Sequence, residues 1–236
     1  MEYLKTFESY NNDLILEGLD IKPLLDKLKS TINKNAIATL IVGSLLTVLS
    51  VAQATNFIEK RPDLSHKDKI VLVQAIKKYH DPSVLRLSHS GWEHIKNHEK
   101  LKLTAYSIGD GMITIGYGHA KPIAESKYKV GDKISVKTAN KLLIQDMNFA
   151  ADGVRRIFEE WKEEGINVKL TQNQYNVLVS MSFNMGLTKL RTSEFIQLLK
   201  QNKITKAAKQ IKITGIDNDF PGLAERRLIE YNMFIS

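Results

Sequence analysis

From Ser135 to Glu164 the apolar residues recur at helical spacing without a break: Ala139, Leu142, Leu143, Met147, Ala150, Val154, Ile157 and Phe158 lie on one broad face. At 1.5 Å per residue this predicts a single helix about 45 Å long, read as a connector between two packed lobes. The remaining pattern agrees with a mainly α chain. Leu24, Leu25, Leu28 and Ile32 fall at helical spacing, and Ser65-His66-Lys67-Asp68 resembles a capping box opening a helix through about Tyr79. Asp81 as N-cap and Pro82 at the first position predict a second helix ending near His98 and Glu99. Thr171-Gln172-Asn173-Gln174 is a capping box before a helix over Tyr175 to Gly186, and helical patterns cover 192–201, 204–211 and 221–234.

The period changes in one place. LTAYS and MITIGYG flank Ile108-Gly109-Asp110-Gly111, which reads as a β-hairpin with a Gly-rich turn and the only credible sheet of the chain. The expected fold is therefore mainly α (α+β), with two lobes, one small β-hairpin, a long connecting helix and an N-terminal helical extension. Four segments are expected: a polar and amphipathic stretch over 1–35, an apolar helix over 36–54, a helical linker over 55–89 that begins near EKRPD, and a domain over 90–236.

Composition narrows the chemistry. A chain of 236 residues, 43% hydrophobic, can bury a full core without staples. The lack of cysteine excludes a disulfide framework and thiolate-bound zinc. The six histidines show no H-E-x-x-H spacing, so neither a metal nor any other cofactor is expected. Residues 1–35 hold five Lys against six acids, so the +8 net charge belongs to the remainder. A basic surface suits an anionic polymer, or serves only solubility. With no basic run interleaved with aromatics, no zinc-finger spacing and no RNP-like strand, nucleic acid is not expected as partner.

Residues 36–52, AIATLIVGSLLTVLSVA, carry no charge and precede the small-residue pattern Ala52-Gln53-Ala54. As one helix they would reach about 25 Å, short of the roughly 30 Å of a bilayer core. Three readings stand: a signal anchor giving membrane association, an export signal cleaved after Ala54, or a buried helix. Lys27, Lys29 and Lys34 before the run give it a positive side and would send the C-terminal part outward.

The chemistry-bearing stretch is 98–119, HEKLKLTAYSIGDGMITIGYGH. A Glu at a helix end followed by a hairpin bearing an acid and a Thr can set two carboxyl groups across a cleft. Glycosidic cleavage needs that pair, one to protonate the leaving oxygen and one to steer water or stabilise the sugar cation. A helix C-terminus favours the protonated form of a carboxyl placed there, which suits Glu99 as general acid. Gly116 and Gly118 do not form a phosphate loop, since no Gly-x-x-x-x-Gly-Lys is present; they permit tight backbone bends.

Glu99, Thr114 and Gly116-Tyr117-Gly118-His119 keep the order and spacing of the phage T4-type lysozymes and endolysins, glycoside hydrolase family 24, and the chain resembles that family over about 90–236. Ile134-Ser135, Gln145-Asp146, Thr171-Gln172-x-Gln174, Ser182-Phe183-Asn184-Met185-Gly186 and Pro221-Gly222-Leu223 with Arg226-Arg227 extend the resemblance. It implies a muramidase with Glu99 as proton donor, Thr114 positioning water, Asn184, Tyr117 and Gly116 along the substrate, and His119 with Asp146 as a structural tether. Where the family has Asp or Cys this chain has Ile108, and the nearest acid is Asp110. Residues i and i+2 of an extended strand project to one side, so Asp110 is the candidate second carboxyl; its alternative is a purely conformational role in an Asp-Gly turn. Arg226 and Arg227 either pair with acids near the cleft or lie solvated.

The resemblance further implies peptidoglycan as substrate, action in the periplasm or cell wall, and host lysis. Two other settings are open: a virion-associated lysozyme docked to phage tail or baseplate proteins through residues 1–89, and a catalytically impaired wall-binding domain, suggested by Ile108.

Overall fold

The computed structural model describes residues 22–32, 34–46, 49, 51–201, 203–215 and 222–236. The first 21 residues, and Pro221 of the Pro-Gly-Leu motif, lie outside the described residues. The first helix, α1 (Lys22–Ser30), buries Leu24, Leu25 and Leu28. It stops before Ile32, which is fully exposed, and the Ser30 hydroxyl donates back to the Lys27 carbonyl at its last turn.

The apolar run expected as one helix is two. Helix α2 (Asn35–Leu45) is buried at every position from Ile37 to Leu45, and α3 (Val51–Glu59) follows with Ala54, Phe57 and Ile58 in the core. Eleven residues span about 16 Å, and no helix among the described residues is long and apolar enough to cross a membrane. Helix α2 packs instead against α4 (His66–Ile76). Lys34 at its N-cap pairs with buried Asp68, whose carboxyl also accepts the Ser65 hydroxyl, while Ser65 caps α4 by accepting Asp68 N–H at 3.2 Å. Burial alone would raise the Asp68 pKa, but Lys34 and Ser65 bring it down.

Residues 55–89, expected as a linker, are part of the packed body. Helix α4 ends at Ile76, short of Tyr79, and strand β1 (Tyr79–His80) pairs antiparallel with β5 (Leu170–Thr171). This second sheet was not expected; two-residue strands are too short to show a period. The Tyr79 hydroxyl donates to the Thr39 carbonyl, and its burial raises its pKa beyond the usual phenol range. Asp81-Pro82 starts a turn rather than a helix, with Asp81 Oδ1 accepting both the N–H and the hydroxyl of Ser83. The helix there is α5 (His89–His98), capped by Ser88.

The hairpin carries a third strand. Strands β2 (Lys102–Tyr106), β3 (Met112–Gly116) and β4 (His119–Pro122) form an antiparallel sheet in that order, and Thr104 bridges to Lys133 on the outer edge. Ala105, Ile113 and Ile115 pack with Leu142 as the small core of this lobe. Leu142 belongs to α6 (Val136–Glu163), capped by Ser135; the rest of its apolar face enters the larger core.

Helix α7 (Gln172–Met185) opens with the Thr171–Gln174 capping box and ends at Gly186, φ +85°. The pattern over 192–201 is divided by Ser193, which caps α9 (Glu194–Lys200) after a short α8 (Leu187–Thr192). Helices α10 (Ile204–Ile211) and α11 (Gly222–Phe234) complete the C-terminal lobe. The larger core runs from Leu24 to Phe234, so the N-terminal helices and the C-terminal lobe share it.

Candidate active site

Glu99 is the C-cap of α5, and what fixes α5 fixes this carboxyl. Ser88 N–H donates to Asn176 Oδ1 at 3.2 Å and Asn176 Nδ2 donates to Ser88 Oγ at 2.7 Å, joining the start of α5 to the middle of α7. The two helices approach closely because residue 91 is Gly; a Cβ there would stand 2.6 Å from Asn176 Cγ. At the far end, Glu99 leaves the helix in an extended conformation, φ −101° and ψ 128°.

Its two oxygens face different lobes. Oε1 accepts Arg226 Nη1 at 2.8 Å. Oε2 lies by Gly118, φ +87°, where a Cβ would be 3.6 Å away. Gly118 thus brings main chain of the sheet lobe beside the carboxyl in a conformation that side-chain-bearing residues avoid.

Behind Arg226 is a buried charge network centred on Glu230, a residue the sequence did not single out; of the two alternatives for Arg226 and Arg227, pairing with acids is the one found. Glu230, fully buried, accepts the Ser180 hydroxyl at 2.6 Å, Arg226 Nε at 3.3 Å and Arg227 Nη1 at 2.5 Å. Burial pushes its pKa up, but His94, the two guanidiniums and the Ser180 hydroxyl outweigh that and hold it down at about 2. His94 Nε2 faces Glu230 Oε1 across 3.8 Å, beyond hydrogen-bond reach. Arg226 and Arg227 are both buried rather than solvated. Arg227 Nε donates to the Thr214 carbonyl at 2.8 Å and Nη2 to Asn184 Oδ1 at 2.6 Å, so the candidate amide is oriented by a guanidinium. The available signal was an acid three and four residues after consecutive arginines.

On the sheet side, Thr114 pairs across strands with Tyr106 and Ala120, and it alternates with Ile113 and Ile115, which enter the small core. Its side chain therefore faces away from that core. Asp110 is exposed at the turn between Gly109 and Gly111, and its Oδ1 accepts Met112 N–H at 3.1 Å. Ile108 is 78% exposed. Tyr117, at 8% exposure, is part of the larger core with Lys96 above its ring, and Gly116, φ +71°, turns the chain onto Ala139 of α6. Both are buried rather than open to solvent. His119 Nδ1 lies 2.9 Å from Asp146 Oδ2, tying β4 to α6. Among the described residues no group of three or more His, Asp or Glu could hold a metal.

The family model described as "Phage lysozyme" matches residues 96–230. The chain is 30% identical over 158 residues to an endolysin of Acyrthosiphon pisum secondary endosymbiont phage 1, covering 64% of this chain and 99% of that one. It is 29% identical over 156 residues to an endolysin of Salmonella phage P22, covering 65% and 100%. Among solved structures, the muramidase domain of SpmX from Asticaccaulis excentricus superposes with a TM-score of 0.53 at 26% identity, covering 64% of this chain and 99% of that one. A mutant of P22 lysozyme gives 0.51 at 27% identity, covering 65% and 100%.

Proposed function

Because the chain belongs to the phage lysozyme family, we propose that it is a peptidoglycan hydrolase that cleaves the β-1,4 bond between N-acetylmuramic acid and N-acetylglucosamine, as an endolysin of glycoside hydrolase family 24. The observation that carries this reading is Glu99: one oxygen is held by Arg226 of the C-terminal lobe and the other stands beside Gly118 of the sheet lobe. A glycan laid between the lobes would cover this carboxyl. Excluding water there keeps the carboxyl for the reacting bond alone. Glu99 then gives its proton to the glycosidic oxygen as the bond to the anomeric carbon breaks, and water adds to that carbon.

Thr114, on the sheet face turned away from the small core, orients the water by its hydroxyl. Asp110 takes the water's proton or stabilises the sugar cation. One of its oxygens is already engaged by Met112 N–H, so this assignment competes with a purely conformational one. Asn184, set by Arg227, presents its amide to an N-acetyl group; Gly116 and Tyr117 back the wall, and His119 with Asp146 tethers the strand.

The test is turbidity loss and reducing-sugar release from purified sacculi by the full chain, with Glu99→Gln and Asp110→Asn beside it. Loss in both variants supports the two-carboxyl mechanism. Loss in Glu99→Gln alone makes Asp110 a turn residue. A folded wild type that binds sacculi without releasing sugar leaves a wall-binding domain.

A second setting is favoured by the burial of Ile37 to Leu45. An apolar helix spent on the core is not available to lipid, and residues 1–89 then serve to dock the enzyme to virion proteins. Mass spectrometry of purified virions tests it; pelleting of the chain with host membranes would instead support anchoring.

A further inference from the structure

One carboxylate stands behind both parts of the site that would meet the glycan. Glu230 binds Arg226, which reaches Glu99, and Arg227, which reaches Asn184. The groups that face Glu230 come from three helices: His94 from α5, Ser180 from α7, and Arg226 and Arg227 from α11. Ser180 adds a second grip on Arg226, its hydroxyl accepting Nη2 at 3.2 Å. Neither arginine is solvated, so each must divide its hydrogen bonds between Glu230 and the cleft residue it holds.

Resting on the muramidase reading, we propose that Glu230 is a positioning residue for the hydrolysis: by sharing Arg226 with Glu99 and holding Arg227 on Asn184, it sets the proton donor and the amide-binding wall together. A guanidinium that answers to two carboxylates holds each less strongly than it would hold one. Glu230 therefore restrains the pull of Arg226 on Glu99 and sets where the guanidinium meets that carboxyl. The same carboxylate fixes the plane of Arg227, and with it the direction in which the Asn184 amide is offered.

The test uses the full chain as wild type and Glu230→Gln, which keeps shape and removes charge. Carbon-detected NMR of labelled glutamate follows Glu99 directly through acid and neutral pH, beside kcat and KM for sacculus hydrolysis over the same range. In Glu230→Gln, Arg226 loses its competing carboxylate and answers to Glu99 as its one acid, so the Glu99 midpoint is expected to fall by about one pH unit. The alkaline limb of kcat moves down with it, and kcat/KM above that limb falls about tenfold. KM rises as Arg227 loosens from Asn184.

A merely structural Glu230 would lower Tm without moving the midpoint or the limb. An unchanged Glu99 midpoint in folded Glu230→Gln overturns the proposal. If Glu230→Gln does not fold, Glu230→Asp, which keeps the charge but withdraws it from both guanidiniums, is expected to move the midpoint the same way by a smaller amount; no movement overturns the proposal equally. A wild type that releases no sugar would defeat the muramidase reading, and the NMR midpoint would still decide the role of Glu230.

Discussion

Ile41 lies in the middle of α2 and has no exposed surface. It is a position where the buried-helix arrangement differs sharply from an anchor or a cleaved leader. Truncating a fully buried Ile to Ala removes three carbons and leaves a cavity whose walls close only in part, a loss of about 2–5 kcal/mol. Taking about 3 kcal/mol and the 2–4 °C per kcal/mol typical of a chain this size, Tm should drop by about 6–12 °C. The signal to follow is one cooperative transition, because α2 shares its core with the C-terminal lobe. Ile32→Ala is the internal control: Ile32 is fully exposed, and its loss should stay within about 0.5 kcal/mol. Circular dichroism melts and urea titrations of both variants read the difference. If Ile41→Ala melts like wild type and like Ile32→Ala, residues 36–45 are not part of the core and the membrane and export readings regain their place.

Glu230 makes stability depend on acid pH. Its folded pKa is depressed from 4.5 to about 2, so the stabilisation it brings is complete above its unfolded value and disappears as pH falls through that interval; wild type should lose Tm across it more steeply than Glu230→Gln. Gly118→Ala places a methyl 3.6 Å from Glu99 Oε2 at φ +87°. The backbone cost of about 1–2 kcal/mol should leave a folded protein whose kcat falls more than its KM rises, and an unchanged kcat would remove Gly118 from the site. Asp110→Ala should cost about 1 kcal/mol through the lost Met112 N–H acceptor, whereas Asp110→Asn should retain that bond, so equal melting temperatures for the two would show the turn does not depend on it.

The legible parts of the fold were those in which local signals agree. The apolar face of α6 and the caps at Ser65 and Thr171 each depend on residues within a few positions, and the helices begin where those residues stand. Asp81-Pro82 misled because the same pair starts a turn as readily as a helix; the hydrogen bonds from Ser83 to Asp81 close the turn, and Ser88 caps the helix that follows. The run over 36–52 stayed open among three readings because composition alone does not distinguish lipid from protein interior as the apolar partner; Asp68 pairing with Lys34 and the Tyr79 hydroxyl on Thr39 come from later segments. At the site, Glu99, Gly118 and the His119–Asp146 pair lay within recognisable spacing. The grip of Arg226 on Glu99, between residues 127 positions apart, and of Ser180 on Glu230, 50 apart, depends on helix packing that no local pattern encodes.

The attachments of Glu99 also determine which lobe carries it. Sequence order places it just ahead of β2 and so with the sheet, yet its helix is seated on α7 through Ser88, Gly91 and Asn176, and its carboxyl is held by α11. These contacts lie on the side of the larger core, into which Ile95 of the same helix packs, whereas Gly118 meets Glu99 from the sheet lobe. A hinge motion along α6 would therefore leave the Glu99–Arg226 pair intact and change the approach of Gly118 and Thr114 to it. Glu99 and Asn184 are joined on one side by the Glu230 network, and the sheet lobe, with Thr114 on β3 and Asp110 in the turn before it, forms the other side. On the muramidase reading proposed above, closing the two sides on a glycan would carry Thr114 and Gly118 toward Glu99 while its bond to Arg226 stays in place.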